Sequence, residues 1–265
     1  MTDASYALAA TRRCLVDDLG FSREDCDRTL HELRPNPVIV DFYEQVGYLP
    51  DAILNYLVLL GWSLDDRTEF FTREEMIKLF SLERVNKAAA SFDPKKLFAF
   101  QDRYMQMVPV ERKVDLVLPY LEKAGLVADF AGVRSKVTKI VEAAGDRIKV
   151  AGDILDYADF FVADDQIAYD EPAFDKRIRK PPEAAGLLKK FRDQLAITDP
   201  FEASTIEKRL HDFVAAEGID IGRIIHALRV AVTGKAVGFG VFDSLAISGK
   251  ASCLARINRA LGRLT

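Results

Sequence analysis

Apolar residues recur at helical spacing through most of this chain, and that periodicity restricts its fold more than any other feature. AILNYLVLLGWS puts Ile53, Leu54, Leu57 and Leu60 on one helix face with Gly61 as its stop, and VDLVLPYLEKAG repeats the pattern ahead of Gly125. Pro119 is expected to kink that second helix or open a turn. Three residue pairs resemble capping boxes: Ser22 with Asp25, Thr72 with Glu75, and Ser204 with Glu207. Strand-like alternation is rare. The best case is NPVIVDFY, with Val38, Val40 and Phe42 on one side, and DRIKVAGDI is weaker. A large sheet is therefore not expected, and the fold class is mostly α.

The chain has 265 residues, 49% of them apolar, which suits two domains with substantial cores. The division is placed near residue 150, and the first thirty or so residues read as a separate helical extension. No run approaches the roughly 18 apolar residues of a membrane span, and charges interrupt the start where a signal peptide would be apolar. A cytoplasmic protein with no membrane partner is expected. Cys14, Cys26 and Cys253 lie far apart without zinc-type spacing, so reduced thiols and no metal are expected.

The net charge of −4 conceals an uneven distribution. From Ile221 to Thr265 stand Arg223, Arg229, Lys235, Lys250, Arg256, Arg259 and Arg263 against the single acid Asp243, making the C-terminal end a candidate basic patch. A second group, Lys176, Arg177, Arg179 and Lys180, sits in DEPAFDKRIRKPPEAAG, which reads as an exposed loop or helix entry.

Few residues carry recognisable reaction chemistry. VTGKAVGFG has neither phosphate-loop nor dinucleotide spacing, so Gly234, Gly238 and Gly240 are expected to supply positive-φ turns between helices. His31, His211 and His226 are scattered and have no nucleophile companion. The pairs Asp65/Asp66 and Asp164/Asp165 suit solvated turns better than a cation site, because adjacent side chains diverge. Phe98 and Tyr157 are expected to pack in a core rather than stack on bases. No catalytic residue and no cofactor is assigned.

GYLPDAILNYLVLLGWS, LERVNKAAASFDPKKL, LRVAVTGKAVGFGVFD and GKASCLARI, in that order and spacing, resemble successive landmarks in the C-terminal half of bacterial-type glutamyl-tRNA synthetases, over residues 38 to 265. The resemblance implies two helical domains, the second a class I synthetase anticodon-binding helical bundle. It divides the chain into an N-terminal helical extension in place of the catalytic domain (1–37), a stem-contact-like domain (38–150) and an anticodon-binding domain (151–265). The family's His-Ile-Gly-His-type ATP signature is absent from the sequence. Where its lysine-rich loop would fall stands LHELRPNPVIVDFY, in which Arg34 is the lone Lys or Arg. Those lysines stabilise charge on the departing pyrophosphate, so the chain is not expected to form glutamyl-adenylate by itself.

The partner the resemblance implies is a tRNA, with tRNA-Glu first. Arg229, Thr233 and Lys235 are its candidates for contacting the anticodon arm or for holding the turn that does. Arg84, Asn86, Lys87, Lys95 and Lys96 fall where the family approaches the inner corner of the tRNA, and Arg103 falls in FQDRYM, which departs from the family's usual ending there. The alternatives are a fragment or split half of a glutamate–tRNA ligase acting with a separate catalytic domain, and a helical scaffold for a protein partner.

Overall fold

The structure, a computed structural model, describes residues 40–86 and 90–264. Among them there is no strand, only an isolated bridge between Trp62 and Val85, and no helix is long and apolar enough to cross a membrane. The chain forms two compact units. One comprises Met1–Val141 with Gly145–Leu155, and the other Glu142–Ala144 with Asp156–Thr265. The expected extension over residues 1–37, with Ser22/Asp25, His31, Cys14 and Cys26, lies outside the described residues.

In the first unit, α1 (Val40–Val46) takes in residues 40–43 of the stretch expected to be a strand, and residues 36–39, with Val38, lie outside the described residues. Tertiary packing decides this. Val40 is exposed, while Tyr43 is buried among Phe42, Tyr48 and Phe92, with ring centroids at 5.2, 4.9 and 6.3 Å. A strand would have sent Tyr43 to the face opposite Phe42. DRIKVAGDI is not a strand either, because the amides of Lys149 and Val150 both donate to the Asp153 carboxylate, at 2.8 and 3.0 Å, and close a turn.

Helix α2 (Pro50–Leu59) buries Ala52, Asn55 and Tyr56 and leaves Leu54 and Leu57 exposed, so the inward face is rotated from the Ile53/Leu54/Leu57/Leu60 face expected. The cause is Asn55. Its Nδ2 donates to the Glu69 carbonyl at 2.9 Å, and its Oδ1 accepts from the Phe71 amide at 2.9 Å and the Tyr104 hydroxyl at 2.7 Å. This fully buried amide meets its hydrogen-bonding demand by fastening the 62–72 loop to two helices.

The Thr72–Glu75 capping box at the head of α3 (Arg73–Leu79) forms in both directions. Helix α4 (Pro94–Met107) is capped by Asp93, and α5 (Val110–Lys123) runs on through Pro119 rather than stopping there. The proline removes one helix hydrogen bond, but Val117, Leu118 and Leu121 around it are buried and hold the helix in place. Helix α6 (Phe130–Ala144) follows a cap from Asp129. Gly47, at φ +94, permits a close approach: a Cβ there would lie 2.8 Å from Cβ of Ala151, whose amide donates to the Gly47 carbonyl at 3.0 Å.

The second unit contains α7 (Glu171–Phe174), a π turn (Asp175–Arg179), α8 (Ala184–Ala196), α9 (Ala203–Glu217), α10 (Gly222–Thr233), α11 (Val241–Ser248) and α12 (Lys250–Gly262). Its core joins Phe174, Ile178, Leu188, Phe191, Leu210, Leu228 and Ile257. The cation-rich segment at 171–180 is thus partly core, because Phe174 and Ile178 are buried within it. Ser204 lies inside α9, whose N-cap is Glu202, so no capping box forms there.

Candidate RNA-contact surfaces

Three of the C-terminal cations are engaged within the fold instead of being left to the surface patch that their number predicts. Arg256 is buried: its Nε donates to Asp164 at 2.6 Å, Nη1 to the carbonyls of Asp159 at 2.9 Å and Val232 at 3.0 Å, and Nη2 to that of Val162 at 3.2 Å. Arg259 donates to the Ile167 carbonyl, and Arg263 pairs with Glu171. The guanidiniums of Arg256 and Arg259 satisfy carbonyls where chain segments cross, a use for which Arg's fixed fork of donors is suited. Sequence counting registers their charge but not their direction.

What does reach the surface is the loop after α10. Gly234 caps α10 at φ +74, where a side chain would overlap the Ala168 carbonyl oxygen, and its own carbonyl accepts from the Asp170 amide at 2.8 Å. The Thr233 hydroxyl donates to the Arg229 carbonyl at 2.9 Å and accepts from the Lys235 amide at 3.3 Å. Lys235 reaches Asp159 at 2.5 Å and the Asp156 carbonyl at 2.7 Å, and Arg229 donates to the Phe239 carbonyl at 2.7 Å. Phe239 stacks on Phe160, with centroids 5.4 Å apart and rings 5° from parallel, and lies beside the buried Tyr157. Both ends of the 234–240 loop are therefore fixed, while Val237 at its tip is 78% exposed. Of the three glycines, Gly234 and Gly238 have the expected positive φ, at +74 and +158, and Gly240, at φ −47, does not.

The sequence-assigned residues of the first unit are more exposed. Arg84 donates to the Leu64 carbonyl at 2.5 Å, and the Asn86 amide to that of Gly61 at 2.7 Å; Lys87 lies outside the described residues. On α4, Lys95 is exposed, Lys96 pairs with Glu69 at 2.7 Å, and the Arg103 guanidinium sits 3.8 Å from the centroid of Phe70. Gln101 beside them is buried, bridging the Leu49 amide and the Lys149 carbonyl, each at 2.7 Å. Phe98 is half-buried near Tyr48.

Among the described residues no group of three or more His, Cys, Asp or Glu could hold a metal ion. Asp65 accepts from the amides of Arg67 and Thr68, which hold its carboxyl below the usual range, and Asp164 is taken by Arg256. His226 is exposed on α10 and has no nucleophile companion in the sequence. Its pKa is lowered by partial burial and by the charges of Arg177 and Arg229, a grouping across two elements that sequence spacing does not reveal.

Residues 112–261 match the family model described as the anticodon binding domain, and residues 20–99 match that of the catalytic domain of tRNA synthetases class I (E and Q). The second match begins within the stretch read as an N-terminal extension. A glutamate–tRNA ligase of Herpetosiphon aurantiacus is 35% identical over 84% of this chain and 45% of its own length, and one of Moorella thermoacetica 35% identical over 88% and 48%. A crystal structure of a glutamate tRNA ligase from Elizabethkingia meningosepticum, in complex with its amino acid, superposes with a TM-score of 0.74 at 30% identity, covering 84% of this chain and 43% of that one. The chain spans about half the length of the curated relatives it matches. It belongs to the anticodon binding domain family, in the form found in the glutamate–tRNA ligases.

Proposed function

We propose that this chain binds a tRNA, tRNA-Glu first, with its second unit on the anticodon arm and its first at the inner corner. The observation that carries this reading is the loop at 234–240, held at both ends by Arg229, Thr233 and Lys235 inside the segment that matches the anticodon binding domain. A loop fixed in advance loses little conformational freedom on meeting RNA, so its exposed tip can contact unstacked bases at low entropic cost. Arg84, Asn86, Lys87, Lys95, Lys96 and Arg103 supply the inner-corner contacts, where positive charge positions the phosphate backbone without reading sequence.

The chain by itself forms no glutamyl-adenylate, since its sequence carries neither ATP signature. The catalytic-domain match over residues 20–99 favours a second reading, in which a glutamate–tRNA ligase catalytic half acts together with this one. Titration with tRNA-Glu and with a non-cognate tRNA across a salt series tests the first reading, and ATP–pyrophosphate exchange runs alongside. Selective, salt-dependent binding without exchange supports it, and equal binding to any structured RNA of the same length overturns it.

A further inference from the structure

The cation run at 176–180 divides between two uses. Arg179 pairs with Asp175 and lies 4.0 Å from Glu171, and Ile178 is buried. Arg177 has no ion pair among the described residues, and its π turn packs against α10 closely enough for the Arg177 charge to act on His226.

On α10 itself, Arg223 and His226 are exposed and one turn apart, while Ile224, Ala227 and Leu228 are buried; from Arg229 onward the helix is half-buried or buried on all sides, and Arg229 is committed to the Phe239 carbonyl. The helix carries no acid. Glu183, at the head of α8, comes only within 3.7 Å of Arg223, whose side chain stays 59% exposed. Lys190, Arg192, Lys235, Arg256 and Arg263 each have a carboxylate partner. Lys176, Lys180, Lys189, Lys208, Arg209 and Lys250 have no ion pair either among the described residues. Arg177 on the π turn and Arg223 and His226 on α10 thus bring positive charge together with Glu183 as the one carboxylate within 4 Å of them among the described residues, an arrangement that favours an anion.

We propose that Arg177, Arg223 and His226 form a contact for the phosphodiester backbone of an RNA strand, separate from the loop at 234–240. The reading rests on the RNA binding proposed above. Cations at the surface, Arg223 and His226 exposed and Arg177 half-buried, rather than an enclosed pocket, suit a ligand whose charges repeat along a chain. It holds the strand by charge and leaves base reading to other groups.

The test compares the full chain with R177A/R223A, with the charge-keeping R177K/R223K and with a control, K208A/R209A, that removes two cations from α9. Each is titrated with tRNA transcript over a salt series. The expected result is a roughly tenfold loss of affinity for R177A/R223A at moderate salt, and a slope of log K against log salt shallower by about one to two. R177K/R223K should stay near wild type and the control should change little. A wild-type chain that binds with R177A/R223A indistinguishable from it overturns this contact and leaves the tRNA reading standing. Lost affinity with an unchanged slope overturns it as well, since the arginines would then act through packing. An equal loss in the control reduces the effect to net charge and also overturns it. A wild-type chain that binds no tRNA overturns both readings together.

Discussion

The Lys235 ammonium lies 2.5 Å from the Asp159 carboxylate, and that carboxylate is 9% exposed while the lysine side chain is 33% exposed. The pair is half in water, so its strength lies between that of a surface ion pair and that of a buried one. Asp159→Ala leaves the amine with the Asp156 carbonyl alone and frees one end of the 234–240 loop. The expected outcome is a loss of about 1–2 kcal/mol in urea unfolding, with a larger proportional loss in tRNA affinity because the loop is no longer held in advance.

Arg256 makes the opposite case to an RNA-binding arginine. Arg256→Met would leave the Asp164 carboxylate and three backbone carbonyls without their donor. Removing one member of a buried charged network costs about 3–5 kcal/mol. Thermal melting should show a large loss for Arg256→Met, whereas Arg177→Ala, which removes no ion pair, should melt within a few degrees of wild type.

Those two arginines mark where sequence reading stops. The helical class, the Thr72–Glu75 cap and the turn at Gly234 were legible, because each depends on neighbours within a few residues. The end of the strand expected at NPVIVDFY, from Val40 on, is a helix because Tyr43 is drawn into a cluster completed by Phe92, far along the chain. The rotated face of α2 likewise depends on Asn55 meeting Phe71 and Tyr104. The cation count at the C-terminal end was correct, but whether each arginine faces carbonyls or water is set by chain crossings more than ninety residues apart, as with Arg256 and Asp164. The grouping of Arg177 with His226 was hidden for the same reason.

Gly234→Ala tests whether the turn after α10 is obligatory. At φ +74 an alanine is strained, and its Cβ would overlap the Ala168 carbonyl oxygen, which is backbone and cannot swing aside. A loss of at least about 1–3 kcal/mol is expected from the conformation and the overlap together. Gly262→Ala meets nothing within 4 Å at the end of α12 and has no positive φ, so it should be neutral or slightly stabilising in the same urea titration.

Cys253 is fully buried, donates to the Leu245 carbonyl at 3.4 Å, and has its thiol pushed up to about 12 by burial. Only the thiolate reacts readily with alkylating agents. In the folded protein at pH 8, iodoacetamide should leave the Cys253 peptide unmodified by mass spectrometry, and alkylation should appear once urea unfolds the chain. Rapid modification under native conditions would show that the α12 packing opens.

His226 provides a pH readout of the charges on α10 and the π turn. Partial burial and the charges of Arg177 and Arg229 lower its pKa below the ordinary histidine value. The unfolded chain therefore takes up the proton first as pH falls. The stability associated with neutral His226 is complete above the unfolded pKa of about 6.5 and is lost as pH falls through the lower folded value. Arg177→Ala removes one of the two repelling charges, so the His226 imidazole should titrate at higher pH by NMR, closer to its ordinary value, and the stability lost on acidification should shrink. Saturating tRNA should move the wild-type imidazole the same way, because phosphate near the ring favours the protonated form. An imidazole that titrates identically with and without tRNA, while the chain is bound, would place the RNA backbone away from this face of α10.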